Sequence, residues 1–157
     1  MLRLGLVIAG AVVALDQVTK WWILTRTMQP PRVQEITEFF NLVLVWNRGI
    51  SFGLLGDGGP SQAWLLAAFG TLVAGGLLIW LHRGDLTRMA GMGVSLIVGG
   101  ALGNVVDRLR FGAVVDFLDF HMAGWHWPAF NVADAAITVG VILLLADAAL
   151  HERRGDP

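Results

Sequence analysis

The sequence of 157 residues contains no cysteine and no tyrosine, and only 15% of its residues are charged. The absence of cysteine excludes disulfides, zinc–thiolate sites, iron–sulfur clusters and thiol catalysis. A formal net charge of −1 provides no basic footprint for nucleic acid. Hydrophobic residues make up 55% of the chain, and the mean hydropathy is +0.65. Because soluble domains carry about 25% charged residues, this composition predicts an integral membrane protein.

Four apolar segments are long enough to cross a bilayer, since about 20 helical residues span roughly 30 Å of hydrocarbon. They cover residues 4–24, 62–81, 89–106 and 130–150. None of them alternates between polar and apolar residues, which argues against a transmembrane β-barrel. The sequence therefore predicts one all-α membrane domain over residues 1–157.

Two long connections, residues 25–61 and 107–129, separate these segments from one another. Strand-like runs rich in β-branched and aromatic residues occur in each: EITEFFNLVLVWN at Glu35–Asn47 and AVVDFLDF at Ala113–Phe120. The remaining connections are short and rich in arginine, and such segments stay in the cytoplasm. We therefore predict that both termini are cytoplasmic and that a small β-element lies outside the cell membrane. Trp125 and Trp127 are expected at the headgroup level.

Nine of the twelve acidic residues are aspartates, and several lie in apolar surroundings. An ionisable group inside a membrane helix costs free energy unless it is paired or hydrated, so each one is a functional candidate. Asp16 and Lys20 are four residues apart and predict an ion pair on one helix face, with Lys20 also long enough to reach the interface. For Asp16, a structural and a functional role are equally compatible with the sequence. Asp147 is expected to be structural.

The third segment carries glycines and polar residues at helical spacing. Gly99 and Gly103 predict close helix packing. For the polar residues at its outer end, we expect Asn104 to position other groups and Asp107 to pair with Arg108 or another arginine.

Asp116 and Asp134 are the candidates for catalysis. Asp116 is flanked by apolar residues, and Asp134 shares a helix face with Asn131 at the start of the fourth segment. Each has a structural alternative: Asp116 as a strand-edge charge, and Asp134 as a carboxylate favoured by the helix dipole. Two neighbouring carboxylates would share a proton, so that one could accept a proton from water while the other donates one. The 18-residue separation does not establish that they are close.

Other polar residues of the connections have simpler interpretations. Asp57 and Asp119 are expected to be ordinary loop acids. Arg48 either binds an anionic headgroup or is solvated.

Five segments, in this order, resemble the prolipoprotein signal peptidase family, also called signal peptidase II. They are DQVTK at Asp16–Lys20, NRGISFGLL at Asn47–Leu55, GGALGNVVDR at Gly99–Arg108, VVDFLDF at Val114–Phe120 and FNVADAAITVG at Phe130–Gly140. The resemblance implies four transmembrane helices, a small extracytoplasmic β-element and an aspartic endopeptidase of the bacterial inner membrane. One departure is Ile50-Ser51, where many relatives have two alanines.

The resemblance also implies a substrate, a site and a place in the cell. The substrate is a prolipoprotein cleaved just before a cysteine that already carries diacylglycerol, and the active site faces outward. Asp116 and Asp134 would be the catalytic pair. The positions expected to support them or bind substrate are Asp16, Asn47, Arg48, Asn104, Asp107, Arg108 and Asn131. We expect no metal or cofactor, no nucleic acid, and a monomer in contact with membrane lipid.

Two other functions stay open from the sequence. Buried aspartates also mark ion paths, so a small transporter or proton-relay subunit is one alternative. A scaffold built on the glycine-rich third helix is the other. A relay requires polar groups through the bilayer, and a scaffold should tolerate Asp→Asn at both candidate catalytic positions.

Overall fold

The structure, a computed structural model, describes residues 1–49 and 60–152. The elements in chain order are α1 (Leu2–Trp22), a π-helical turn (Ile23–Thr27), β1 (Gln34–Thr37), β2 (Phe40–Asn47), α2 (Pro60–Arg83), α3 (Arg88–Phe111), β3 (Val114–Met122), β4 (Trp125–His126) and α4 (Val132–Glu152). The four α-helices are long and apolar enough to cross a membrane, which confirms the predicted fold class. The predicted boundaries hold to within a few residues, except at the end of α3.

Helix α3 continues through Phe111, so the predicted start of a loop at residue 107 is wrong. The helix ends where Gly112 adopts a left-handed conformation (φ 70°) and its N–H donates to the Arg108 carbonyl. Hydropathy falls at Asp107, but a charged residue that finds a partner does not interrupt a helix. Packing and pairing therefore set this boundary.

Helix α3 is the centre of the bundle. Within its membrane-crossing segment 61% of residues are buried, whereas the corresponding share is 17% or less in the other three helices. A Cβ on Gly99 would lie 2.8 Å from the Ala9 carbonyl oxygen of α1, and one on Gly100 would collide with the Ala133 carbonyl of α4. The close packing predicted for this glycine-rich helix is confirmed.

The four strands form one antiparallel sheet in the order β1-β2-β3-β4. The run at Glu35–Asn47, predicted as one strand, is a hairpin that reverses at residues 38–39 between β1 and β2. Apolar residues resume at Phe39 within the turn, so composition does not mark the reversal. The second predicted strand corresponds to β3.

Candidate active site

The start of α4 places Asn131 and Asp134 in a reciprocal cap. Asn131 is the residue before the helix, and its side-chain Oδ1 accepts from the Asp134 N–H at 3.0 Å. In return, Asp134 Oδ2 accepts from the Asn131 N–H at 3.2 Å. This is the geometry of a capping box, which satisfies N–H groups that a helix start leaves without partners. Asp134 thus has a structural role, because it stabilises the start of α4.

Two connections bring β3 to this helix start. The turn at Gly112 sends the chain back over the end of α3, where Asp107 Oδ2 accepts from the Val115 N–H at 3.0 Å. The Phe130 carbonyl, just before the cap, accepts from the N–H groups of Phe117 and Leu118 at 3.0 and 2.9 Å. These bonds hold Asp116 beside the first turn of α4.

Asp116 is 1% exposed, and each of its carboxylate oxygens accepts a hydrogen bond from a side-chain amide. Asn131 Nδ2 donates to Oδ1 at 2.7 Å, and Asn47 Nδ2 donates to Oδ2 at 2.9 Å. Asn47 reaches it from β2 because Asp116 pairs with Val45, and the next residue on that strand face is a diagonal neighbour across the sheet. The strand-edge interpretation of Asp116 is wrong, since the side chain is buried between a strand and a helix.

Asparagine side chains connect the two candidate carboxylates. Asn131 contacts Asp116 through its side-chain amide and Asp134 through its backbone N–H. Asn104 Nδ2 donates to Asp134 Oδ1 at 2.8 Å, while its Oδ1 accepts from Asn131 Nδ2 at 3.3 Å. The structure therefore brings Asp116, Asp134, Asn47, Asn104 and Asn131 into one hydrogen-bonded group.

A buried ionic cluster supports this group from below. The Lys20 ammonium lies 2.8 Å from an oxygen of Asp16 and 2.8 Å from an oxygen of Asp107, and all three side chains are at most 2% exposed. Lys20 also donates to Asn104 Oδ1 at 3.2 Å. Asp16 Oδ1 accepts from the Ala133 N–H in the first turn of α4 at 3.0 Å. The cluster thus fixes α1, α3 and α4 against each other directly beneath the site.

These contacts confirm the predicted Asp16–Lys20 pair and correct the partner predicted for Asp107. Asp107 pairs with Lys20 of α1, not with an arginine. The reason is that Asp107 points toward α1, which spacing along α3 alone does not reveal. The possibility that Lys20 reaches the interface is also wrong, because its side chain is buried.

Burial and a neighbouring negative charge act on Asp116. Desolvation is the largest effect, and it raises the pKa of Asp116 to about 6. The charge of Asp134 raises this pKa further. It is lowered by the hydrogen bonds from Asn47 and Asn131 and by the charge of Lys20. The raised pKa of Asp116 thus comes mainly from burial, and the negative charge of Asp134 adds to the rise.

The two arginines singled out in the sequence differ in their exposure. Arg108 is half-buried, with Nη1 3.4 Å from the Asn104 carbonyl, and its buried Nε has no hydrogen-bond partner among residues 1–49 and 60–152. Arg48 is exposed and lines a cleft of about 350 Å³. Asn47, Trp46 and Asp116 also line that cleft. Arg48 is thus placed to meet a ligand that enters the cleft.

Asp119 was expected to be a loop acid, which is wrong. It lies in β3, is 6% exposed and accepts from Asn41 Nδ2 at 3.1 Å and from His126 Nδ1 at 2.9 Å. Burial opposes its ionisation, but the bonds from His126 and Asn41 outweigh burial and lower the pKa of Asp119. The apolar residues around it indicated burial, and the partners come from other strands. Asp57 lies outside the described residues.

Asp147 has the structural role expected of it. Its Oδ1 accepts from the Thr87 hydroxyl at 2.6 Å, and Thr87 caps the start of α3. Between this contact and the ionic cluster at the opposite end of the bundle, residues 4–15 of α1, 89–106 of α3 and 135–146 of α4 include no ionisable side chain. The described residues thus lack the succession of polar groups that a proton relay through the bilayer requires.

Comparison with known proteins gives one consistent family. Residues 8–150 match the family described as Signal peptidase (SPase) II. A lipoprotein signal peptidase from Cupriavidus necator is 47% identical over 152 residues, covering 96% of this chain and 86% of the relative. One from Burkholderia thailandensis is 47% identical over 136 residues, covering 87% of this chain and 81% of the relative.

Two solved structures have the same fold over nearly their whole length. Each is described as a bacterial membrane enzyme determined by the in meso method. The first, at 2.3 Å resolution, has a TM-score of 0.84 and 30% identity, covering 98% of this chain and 92% of the other. The second, at 1.9 Å resolution, has a TM-score of 0.81 and 32% identity, covering 93% and 92%.

Proposed function

Because this chain belongs to the signal peptidase II family, we propose that it is an aspartic endopeptidase that cleaves prolipoproteins just before a diacylglyceryl-modified cysteine. The observation that carries the proposal is the Asn131 bridge, which joins Asp116 and Asp134 in one hydrogen-bonded group. Two linked carboxylates, of which Asp116 lines a cleft, can activate water without a covalent intermediate.

In the proposed reaction the pair holds one proton and binds one water molecule. The ionised carboxylate takes a proton from that water molecule. At the same time, the oxygen of the water attacks the carbonyl carbon of the scissile peptide. The other carboxylic acid then gives its proton to the departing nitrogen as the carbon–nitrogen bond breaks. The pair ends with one proton, as it began.

The remaining polar residues position the pair and the substrate. Asn47, Asn104 and Asn131 hold the carboxylates through the bonds described above. Asp16, Lys20 and Asp107 fix the helices beneath them. Arg48 is available to the peptide or lipid headgroup that occupies the cleft. We assign a supporting role to Arg108, whose buried Nε has no hydrogen-bond partner among residues 1–49 and 60–152.

The membrane arrangement follows from the ends of the bundle. The signal peptide of the substrate, as an apolar helix, would lie along the outer faces of the four α-helices, with the scissile bond at the membrane surface. We place the site and the sheet at the outer face of the bacterial inner membrane, because Arg3, Arg83 and Arg88 lie at the opposite end and such segments stay in the cytoplasm. We propose that the enzyme works as a monomer.

The decisive experiment compares charge-neutral variants with purified, lipid-modified prolipoprotein as substrate. Asp116→Asn and Asp134→Asn should each abolish cleavage. Asparagine at 134 still accepts the capping bond, and a cooperative melting transition shows that each variant is folded. Asp85→Asn, an exposed acid in the α2–α3 connection, is the matched control and should cleave normally. Near-normal cleavage by either site variant would refute the assignment of Asp116 and Asp134 as the catalytic pair. Substrate without the diacylglyceryl group should be cleaved poorly, which tests the lipid requirement separately.

A serine mechanism needs its own variant. Gly49–Gly53 reads G-I-S-F-G, which has the spacing of the nucleophile motif of serine hydrolases. Ser51 lies outside the described residues. Under our proposal Ser51→Ala retains cleavage, whereas a serine nucleophile would require its loss.

A further inference from the structure

A groove with positively charged residues lies at the end of the bundle opposite Asp116 and Asp134. Three helices meet there, where α1 begins, α2 ends and α3 begins, and each supplies a basic side chain: Arg3, His82 and Arg88. The groove has a volume of about 910 Å³. It shares no residue with the cleft at Asp116, so the proposed peptidase mechanism leaves it without a role.

The walls of this basic groove are apolar. Leu4 is 52% exposed and Met92 is 38% exposed, and both line it together with Met1 and Leu2. Leu4 and Met92 belong to helices that are long and apolar enough to cross a membrane. The groove therefore combines basic groups at the helix ends with apolar surface that continues along the membrane-spanning faces.

The positive charge of the groove is not neutralised by the acids described around it. Arg3 and Arg88 are exposed, and neither forms a salt bridge within residues 1–49 and 60–151. The acids described at this end are Asp85, which is exposed, and Asp147, which accepts from Thr87 and lies 3.7 Å from His151. The arginines are thus free of described counter-charges at the level of lipid headgroups.

We propose that the basic groove is a binding site for an anionic phospholipid. The phosphate would lie between Arg3 and Arg88, because the planar guanidinium matches phosphate oxygens in pairs. The acyl chains would lie along Leu4 and Met92. Basic pockets between transmembrane helices are known to bind anionic headgroups. A bound lipid would bridge α1 and α3 and would therefore stabilise the folded protein by mass action.

The test uses the full-length protein in detergent, titrated with phosphatidylglycerol or with phosphatidylcholine of the same acyl chains. Phosphatidylglycerol should raise the melting temperature and give a one-to-one adduct in native mass spectrometry, and phosphatidylcholine should do neither. Arg3→Gln with Arg88→Gln should weaken phosphatidylglycerol binding roughly tenfold per arginine, as expected for lost charge-assisted hydrogen bonds. Arg26→Gln with Arg32→Gln removes the same charge from exposed positions outside the groove and should bind like wild type.

Three results would overturn the proposal, and the first needs no variant. They are equal stabilisation of the wild type by both lipids, equal loss of binding in the control pair, and a full effect from glycerol phosphate without acyl chains. If the glutamine pair is unstable without lipid, Arg3→Lys with Arg88→Lys replaces it. That pair keeps the charge but loses the paired geometry, so its affinity should fall below wild type while phosphatidylglycerol still binds better than phosphatidylcholine.

Discussion

Replacing Lys20 with methionine removes the cation that two buried carboxylates share. The Lys20 ammonium lies 2.8 Å from Asp16 and 2.8 Å from Asp107, and the three side chains are at most 2% exposed. Methionine has a similar length and no charge, so the change removes the charge without opening a large cavity. Among residues 1–49 and 60–152, the two buried carboxylates then keep only neutral donors, such as Gln17 and the Ala133 N–H.

The expected loss is large because the penalty comes from the carboxylates that are left behind. Removing one partner of a buried ion pair costs about 3–5 kcal/mol. For a chain of this size that corresponds to a fall of roughly 10 °C in melting temperature. Removing the Lys20 charge should also affect the active site, because this charge lowers the pKa of Asp116. Without it, the pKa of Asp116 rises above about 6.

Thermal unfolding in detergent separates this reasoning from simple misfolding. Lys20→Met should melt well below wild type, whereas Arg26→Met, which removes an exposed charge, should not. The triple variant Asp16→Asn, Lys20→Met, Asp107→Asn is neutral and should recover much of the loss, since it no longer buries uncompensated charge. The reasoning fails if Lys20→Met melts within a degree or two of wild type, or if the triple variant melts no higher than the single one.

Two further predictions test the electrostatics of Asp116 and the packing around Asp16. The pKa of Asp116, about 6 in the folded chain against an ordinary 3.8, means that the folded state binds more protons than the unfolded state between these values. The free energy of unfolding of the wild type should therefore fall relative to that of Asp116→Asn as pH rises from about 4 to 6, by about 3 kcal/mol. If the melting temperatures of the two proteins change equally with pH across this range, the burial argument is contradicted. Gly103→Ala places a Cβ 2.7 Å from Asp16 Oδ2 and should destabilise the protein by about 1–3 kcal/mol. Gly76→Ala, with no atom within 4 Å of its Cβ, should be neutral or stabilising in the same melting assay, and an equal effect of both substitutions would refute the packing argument.

The helices could be predicted from the sequence because a bilayer imposes one length and one polarity on every span. Hydropathy located all four within a few residues. It failed at Asp107 because hydropathy treats a charge as a boundary, whereas this carboxylate stays in the helix by pairing with Lys20. The β1–β2 hairpin was missed for a related reason: its turn at residues 38–39 is followed at once by further apolar residues, so composition alone gave no sign of the reversal.

Tertiary contacts explain why the residues alone could not place Asp116 next to Asp134. The 18 residues between them are brought together by β3, which pairs with β2 and docks on the Phe130 carbonyl just before α4. None of these contacts has a local signature. Their surroundings in the sequence therefore indicated Asp116 and Asp134 as candidates without showing that they are close, and the Asn131 bonds to both residues supply the physical connection that the sequence lacked.

The structural and functional interpretations of Asp134 are not alternatives. Asn131 uses Oδ1 and its N–H to cap α4 with Asp134, and it uses Nδ2 to bind Asp116. The helix cannot take this cap without also presenting an amide to the buried aspartate. Formation of the first turn of α4 and assembly of the carboxylate pair are therefore one structural event. A residue at such a position is constrained twice, by the helix start and by the chemistry we propose for it.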